Sequence, residues 1–555
     1  MSLAAPEDPQ TAACLEALRQ TRDADTLPAL FRSRAARLGE APFLLFRDRC
    51  LSWQQVGALA TAWAGELRRQ AAAVSDDVDD AGGGIAARVA VALPNCDSLV
   101  VLLLACAKAG LVFVPVNPAL TAEEMATALG VVSPTLIVTT AGLVPKLSAA
   151  AAQAGCGPLP VVAVDDADLT LPDLPDPVPE RAGPDEEPDP GQPLAIVFTS
   201  GTTGVPKGAV HSHRTYVTAA EIAAFRMRLD AADRLLVILP LFHLNALFYS
   251  VGGTIVCGGR LVIEERFQAG GFWQVVARHG ITQVNMIAAV GNILLKRDRS
   301  EFPGNATLRK VSAAPVTREV ADALRDSFGI AHVVESYGMT EAPGIAQVDF
   351  FDRDHRACLG RPIVHPLTNA PVSQIRIVDE ARRDLPAGEV GRIMIRASTM
   401  MQGYFRRPDL ADRIDGEGWF LTEDRGRLDP DGYAYFCGRT ADLIRTRGEN
   451  VAAAEVEAAI LTHSAVSEVG CIGIPSDMGE EDILAVVALR PGAQVLPAEL
   501  AAHCRARLSR HKVPRLFVFR DALPKTPTQK VAHHRLRADP DLLADAVPVE
   551  PAVVS

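Results

Sequence analysis

Three consecutive segments, RVAVAL (88–93), SLVVLLLACAKAG (98–110) and LVFVPVN (111–117), leave this chain few folds to choose from. The first and third are short and apolar almost throughout. The second is long enough for a helix, and Gly110 at its end suits a left-handed C-cap. Strands without a polar face must be covered on both sides, and strand–helix–strand order makes them parallel. TLIVTT, PVVAVDD, PLAIVFTS, RLLVILP, GRLVIEE, TQVNMIAA and TLRKVSAA repeat the strand pattern, and FWQVVARHG and VTREVADALRDSFG read as helices. The expected class is α/β, with parallel-rich sheets flanked by helices.

The pattern changes after about residue 370. QIRIVDE and GRIMIRAS alternate polar and apolar residues, which predicts half-exposed, mainly antiparallel strands. From 440 onward, helices AAEVEAAILTH and AELAAHCRARLSR surround strands VGCIGIP and ILAVVALR. With 555 residues the chain exceeds one ordinary core. We expect a large N-terminal domain over 1–439, with a β-rich subdomain at about 370–439, and a small α+β C-terminal domain over 440–555. The Pro- and acid-rich stretch 165–192 reads as a solvated loop.

A net charge of −12 argues against general nucleic-acid affinity, so an anionic ligand must meet locally placed cations. The ten Cys are scattered without a CxxC pair, as expected of thiols in a reducing compartment. The start MSLAAPEDPQ lacks a signal pattern, and the apolar run LVVLLLACA falls well short of the roughly 20 residues of a membrane span. These features predict a cytoplasmic protein without membrane insertion.

The chemistry concentrates in five stretches. TSGTTGVPKG (199–208) follows an apolar strand, and its glycines let backbone N–H groups approach an anion. Thr199, Ser200, Thr202 and Thr203 add hydroxyl donors and Lys207 adds charge. The register is not that of GxxxxGK[ST], since Pro206 precedes the Lys and Gly208 follows it. In ESYGMTE (335–341), Tyr337 can stack on a flat ring, Thr340 can bond a phosphate, and Glu341 is a hard oxygen donor for Mg2+. In 418–439, Asp424 and Arg439 could hold ribose hydroxyls from two sides. Gly448 sits in a turn before an amphipathic helix, and Lys530 ends the loop LPKTPTQK.

In order and spacing these five stretches resemble the adenylate-forming enzymes: acyl-CoA synthetases, nonribosomal adenylation domains and beetle luciferases. The resemblance covers about residues 30 to 537. PLFHLNALFYS, RTRGENVAAAEVE and LPKTPTQK are most similar to the crotonobetaine/carnitine-CoA ligase group. It implies a two-step enzyme. A carboxylate attacks the α-phosphate of ATP to give acyl-AMP and pyrophosphate, and the thiol of CoA then takes the acyl group. It also implies that the small domain is mobile and rotates between the steps.

The resemblance also implies residue roles. The loop from Thr199 through Ser200, Gly201, Thr202, Thr203 and Gly204 to Lys207 would hold the β- and γ-phosphates. Thr340 would touch the α-phosphate and Glu341 the Mg2+. Tyr337 would pack on adenine opposite Ser312, Ala313, Ala314 and Pro315, with Gly338 and Met339 in the same nucleotide site. Asp424 and Arg439 would hold the ribose. Lys530 would align the carboxylate with the α-phosphate in the first step. The face around Gly448 and Glu449 would line the pantetheine channel in the second. His243 stands where the family has an aromatic gate, and Asn245, Phe248, Met286, Ala288 and Ser312 are candidates for the acyl pocket, whose small and apolar residues suggest a largely hydrophobic acid.

Four positions depart from the family pattern: Glu423 replaces a Gly beside Asp424, Ala441 stands at the hinge, Gln529 replaces a Gly before Lys530, and Ala313 replaces a Gly. HLNALF lacks the Asp that pairs with an amino acid's α-amine, which disfavours amino-acid adenylation. Two alternatives remain. One is a stand-alone ligase that loads a carrier-protein thiol. The other is a nucleotide-binding switch without catalysis, against which the retained Lys207, Thr340, Glu341, Asp424, Arg439 and Lys530 argue.

Overall fold

The structure is a computed structural model that describes residues 8–73, 87–172, 187–199, 206–304, 307–313, 316, 318–352, 358–407, 413–439, 443–446, 449–475, 481–526 and 530–549. Every count and contact below concerns these residues. They form two compact units. The first holds the residues up to Ile375 together with Arg396–Gly418, and the second holds Arg376–Ile395 and the residues from Trp419 on. The β-strands expected near 370–439 therefore divide between the two packing units, and most of them pack with the C-terminal part.

The first unit contains two large sheets. One has seven strands, in the order Gly403–Tyr404, Lys207–Ser212, Pro193–Thr199, Val112–Pro115, Arg88–Ala92, Leu136–Thr140 and Val161–Val164. Val112–Pro115 and Arg88–Ala92, joined through the helix between them, lie at its centre. Arg88–Ala92 is buried at every position and pairs in parallel with both neighbours. The helix Asp97–Ala109 ends at Gly110 with φ 69°, the left-handed cap expected of glycine.

The other sheet has nine strands. Its parallel middle is Lys310–Ala313, Gln283–Met286, Arg234–Val237 and Arg260–Ile263. Side chains on this middle alternate between two cores. Val284, Met286, Val311 and Ala313 face a cluster with the helices Ala288–Lys296 and Arg318–Phe328. His332–Met339 continues the parallel order, then turns back into the antiparallel Ala342–Gln347. This turn carries the YGMTE residues.

Near the start of the parallel middle, Lys310 Nζ lies 2.7 Å from Asp233 Oδ2, and both side chains are 2% exposed. Lys310 also donates to the Arg228 carbonyl at 2.7 Å, and Thr282 Oγ1 donates to Asp233 Oδ1 at 2.6 Å. Removing one partner leaves an uncompensated buried charge, so Asp233→Ala should destabilise the unit by about 3–5 kcal/mol. A denaturant or thermal melt reads this as a clear drop in the first unfolding transition; an unchanged melt would contradict it.

In the second unit, most of the strand Gly391–Ala397 forms an antiparallel sheet with Phe420–Leu428 and Ala434–Arg439, and the end of Ser373–Val378 lies at its edge. Burial alternates along Phe420–Leu428, as the polar–apolar sequence pattern requires. A second sheet joins Val466–Pro475, Glu481–Leu489, Leu516–Phe519 and Val547–Pro548, and the helices Ala453–Leu461 and Pro497–Arg505 cover its core. Among the described residues no helix is long and apolar enough to cross a membrane.

Candidate active site

The candidate residues fall into one group in each unit. In the first, Thr199 and Lys207 face each other across the antiparallel pair Pro193–Thr199 and Lys207–Ser212, so the loop between them is anchored at both ends by a buried ladder. The loop residues Ser200, Gly201, Thr202, Thr203 and Gly204 lie outside the described set. Gly208 must be glycine, because a Cβ there would come within 2.6 Å of Ile196 Cγ2. Lys207 is 9% exposed, and its Nζ lies 5.4 Å from the centroid of the Tyr404 ring.

Tyr404 was not singled out in the sequence, yet it joins two motifs. Its strand Gly403–Tyr404 pairs with the Lys207 strand, Tyr404 opposite Ala209. Its hydroxyl donates to Glu341 Oε1 at 2.6 Å, and the Met401 N–H donates to the Glu341 carbonyl at 2.8 Å. Thr340 and Glu341 form the two-residue turn between His332–Met339 and Ala342–Gln347, with Met339 opposite Ala342. Lys207, Tyr404 and Glu341 thus form one line of contacts from the end of the loop after Thr199 to the candidate metal ligand. Glu341 fits Mg2+, which takes one or two carboxylates and draws its remaining oxygens from water and phosphate.

Tyr404→Phe keeps the ring under Lys207 and removes the donor to Glu341. A hydrogen bond to a charged group contributes about 1.5–3 kcal/mol. We expect roughly tenfold weaker activity at limiting Mg2+, with a higher half-saturating Mg2+ concentration. A magnesium titration of pyrophosphate exchange checks this, and an unchanged half-saturation would contradict it.

Ser312 and Ala313 occupy the strand Lys310–Ala313, beside Val334 and Glu335 of the next strand. Tyr337 is buried two residues further along and faces Ala346. Ala314 and Pro315 are outside the described set. Ser312 lies opposite Asn285, whose Nδ2 donates to Ser250 Oγ at 2.9 Å. Met286 points to the other face, into the helix-covered core, away from Ser312. The backbone of Ala288 begins the helix Ala288–Lys296.

His243 follows the strand Arg234–Val237 and stacks edge-on with Phe242, ring centroids 4.6 Å apart. Next comes a π-helical turn, Asn245–Gly252, whose wide i→i+5 spacing brings residues four and five apart onto one side. It carries Asn245, whose Oδ1 is enclosed without a hydrogen bond, and Phe248, which is fully buried. Phe248 packs against Tyr216 and edge-on to His211, at 4.7 and 5.2 Å. Burial lowers the His211 pKa to about 4, with the Thr340 backbone opposing, so its ring is neutral at pH 7.

Tyr249, on the same turn, accepts from the Gly344 N–H at 2.9 Å. It also explains Gly338, where a Cβ would stand 3.0 Å from the Tyr249 hydroxyl and from Gly344 N. Behind Tyr249 lies Arg226, 2% exposed, its Cζ 4.8 Å from the ring centroid. Arg226 Nε is enclosed without an acceptor, and the guanidinium makes no hydrogen bond to another described residue. Lost hydration lowers its proton affinity and the Tyr249 phenol raises it. A buried ion costs several kcal/mol of hydration, which a desolvated cation–π contact of about 2 kcal/mol offsets only in part.

In the second unit, Asp424 and Arg439 are cross-strand partners, with Arg439 Nε 3.0 Å from Asp424 Oδ1. The Asp424 side chain is 3% exposed and that of Arg439 is 42% exposed. Glu423 sits in the same strand without a positive φ, and its side chain alternates away from Asp424. The extended backbone there needs no glycine, and the extra carboxylate faces away from the Asp424–Arg439 pair.

Lys530 closes a loop in which Thr526 N–H donates to the Lys530 carbonyl at 2.8 Å, and Lys525 bridges to Val531. Lys530 is exposed, yet protein crowds its ammonium end enough to lower its proton affinity. Lost hydration acts first, repulsion from Arg439 adds to it, and Asp424 opposes both. The loop therefore brings Lys530 within electrostatic reach of the Asp424–Arg439 pair. Gln529, Ala441 and Gly448 lie outside the described set, as does the side chain of Glu449.

A family model described as AMP-binding enzyme matches residues 31–405, and one described as AMP-binding enzyme C-terminal domain matches residues 455–530. The chain belongs to the AMP-binding enzyme family. This is the adenylate-forming superfamily that the motifs resemble. Among AMP-binding relatives, the chain is 34% identical over 517 residues to a sulfoacetate–CoA ligase of Cupriavidus necator, covering 92% of this chain and 97% of the relative. It is 29% identical over 465 residues to a crotonobetaine/carnitine–CoA ligase of Salmonella paratyphi B, covering 81% and 88%. ATP-bound MatB from Rhodopseudomonas palustris has the same fold, with a TM-score of 0.78 at 24% identity over 92% of this chain and 98% of that one. Membership among these AMP-binding enzymes, whose relatives are named CoA ligases, makes the protein an acid–thiol ligase of the acyl-CoA synthetase type.

Proposed function

We propose that this protein activates a carboxylic acid as acyl-AMP, releasing pyrophosphate, and then transfers the acyl group to CoA. The observation that carries the reading is the approach of Lys530, from a loop near the C-terminus, to the Asp424–Arg439 pair. In the first step two anions, the acid's carboxylate and the α-phosphate, must meet. A lysine beside the ribose-holding pair can neutralise and align them. Lys207 and the loop after Thr199 hold the pyrophosphate end, Thr340 donates toward the α-phosphate, and Tyr337 covers adenine. Glu341, oriented by Tyr404, would hold Mg2+, which supplies charge neutralisation on the phosphates.

In the second step the domain from about residue 440 turns, Lys530 leaves, and the face around Gly448 and Glu449 lines the thiol's path. Any side chain at Gly448 would narrow that path. Gly448→Leu should spare adenylation and slow CoA transfer at least about tenfold, roughly the effect of misplacing a reacting group. Stopped-flow or quenched measurement of each half-reaction separates the two, and unchanged transfer would move the channel elsewhere. The protein acts in the cytoplasm on a small-molecule acid.

ATP–pyrophosphate exchange across a panel of acids tests the reading. Exchange with some acid, followed by CoA-dependent AMP release, is the expected result. AMP release with a carrier protein but not with CoA would replace CoA as the acceptor, and silence with every acid would overturn the ligase reading.

A further inference from the structure

We propose that Arg226 recognises a second anionic group on the acid, a carboxylate or sulfonate at the end remote from the one activated. The inference rests on the ligase reading above and narrows its substrate class. Three observations lead to it. Arg226 is almost wholly buried, and no described residue accepts a hydrogen bond from its guanidinium. It lies against Tyr249, on the π-helical turn that also carries the pocket candidates Asn245 and Phe248. Tyr249 in turn abuts Gly338 and binds the Gly344 N–H, so this wall is built directly onto the YGMTE turn.

A guanidinium is the side chain best shaped to take a carboxylate or sulfonate in two parallel hydrogen bonds. The Tyr249 hydroxyl accepts from Gly344 and keeps its own proton to donate to the same anion. An apolar acid would leave the Arg226 guanidinium and the Tyr249 proton unanswered, and a site with buried polar groups discriminates against a ligand that does not pair with them.

The test uses the full-length protein and ATP–pyrophosphate exchange with matched acids: succinate against butyrate, malonate and sulfoacetate against propionate. The expected result is a kcat/KM at least ~100-fold higher for a dianionic acid than for its monoanionic partner, as for other desolvated charge pairs. The malonate and sulfoacetate arms tell a carboxylate from a sulfonate. Arg226→Met should lower that preferred acid by a similar factor and leave the monoanionic partner within about threefold, and Arg226→Lys should restore part of the preference. A merely structural Arg226 would lower both members of a pair alike, which overturns the proposal. Exchange that favours the monocarboxylates overturns it while leaving the ligase reading standing, and silence with every acid overturns both. Should Arg226→Met fail to fold, the selectivity of the unmodified protein and of Arg226→Lys decides.

Discussion

Lys530→Ala lowers ATP–pyrophosphate exchange by roughly 100- to 1,000-fold, the size expected when one preorganised charge is taken from a site of developing negative charge. Transfer from supplied acyl-AMP to CoA stays within a few-fold, because the proposed rotation has already removed Lys530 from the second step. The two half-reactions, measured separately, check this; equal losses in both would contradict the assignment. The same ammonium predicts a pH profile. Lys530 acts protonated, and its surroundings hold its pKa below the usual lysine value. Adenylation is therefore complete in this respect at low pH and is lost as pH rises through the lowered pKa, earlier than an ordinary lysine would give. Lys530→Arg should move that alkaline limb upward, since the guanidinium does not titrate in range.

Asp424→Ala is the second large effect. Asp424 is buried and pairs with Arg439, and its backbone N–H donates to Thr422 Oγ1 at 3.1 Å. Removing the carboxylate deletes the proposed ribose acceptor and the partner of Arg439. We expect KM for ATP to rise by about 30-fold or more, equivalent to 2 kcal/mol or above for a truncated charge pair. Arg439 is half open to solvent and can be hydrated when it loses Asp424, so the fold should survive. Glu423→Gly provides the contrast: its side chain faces away from Asp424, and KM for ATP should change less than about threefold. Initial-rate kinetics against ATP check both; equal effects at 423 and 424 would contradict the assignment.

Much of this was legible in the sequence because it is local. Apolar runs with no polar face dictated the central parallel strands, Gly110 dictated a cap, and alternation dictated the half-exposed strands of the second unit. Glycines and hydroxyls clustered in TSGTTGVPKG, and a tyrosine, threonine and glutamate in YGMTE, raise the expectation of a phosphate site from residue chemistry alone. Within 418–439, the Asp424–Arg439 pair could be proposed from chemistry, and strand register then placed the two residues opposite each other.

What remained hidden depends on contacts between residues far apart in the chain. Tyr404 meets Lys207 and Glu341 only because a two-residue strand adds to the edge of a sheet nearly two hundred positions earlier. Arg226 looks like an ordinary basic residue at a helix end, where a charge is favourable in water. Its burial against Tyr249 is a product of how the helix His213–Arg226 packs on the π-helical turn. Met286 showed the reverse: sequence position suggested a pocket, and strand alternation turned its side chain into the core. The sequence by itself determined the sheet class, because periodicity is a property of neighbouring residues, and its motifs carried the resemblance to the family. Only the tertiary structure decided which distant side chains share a site and which buried charge was left without a partner, because burial and pairing are properties of the packed chain.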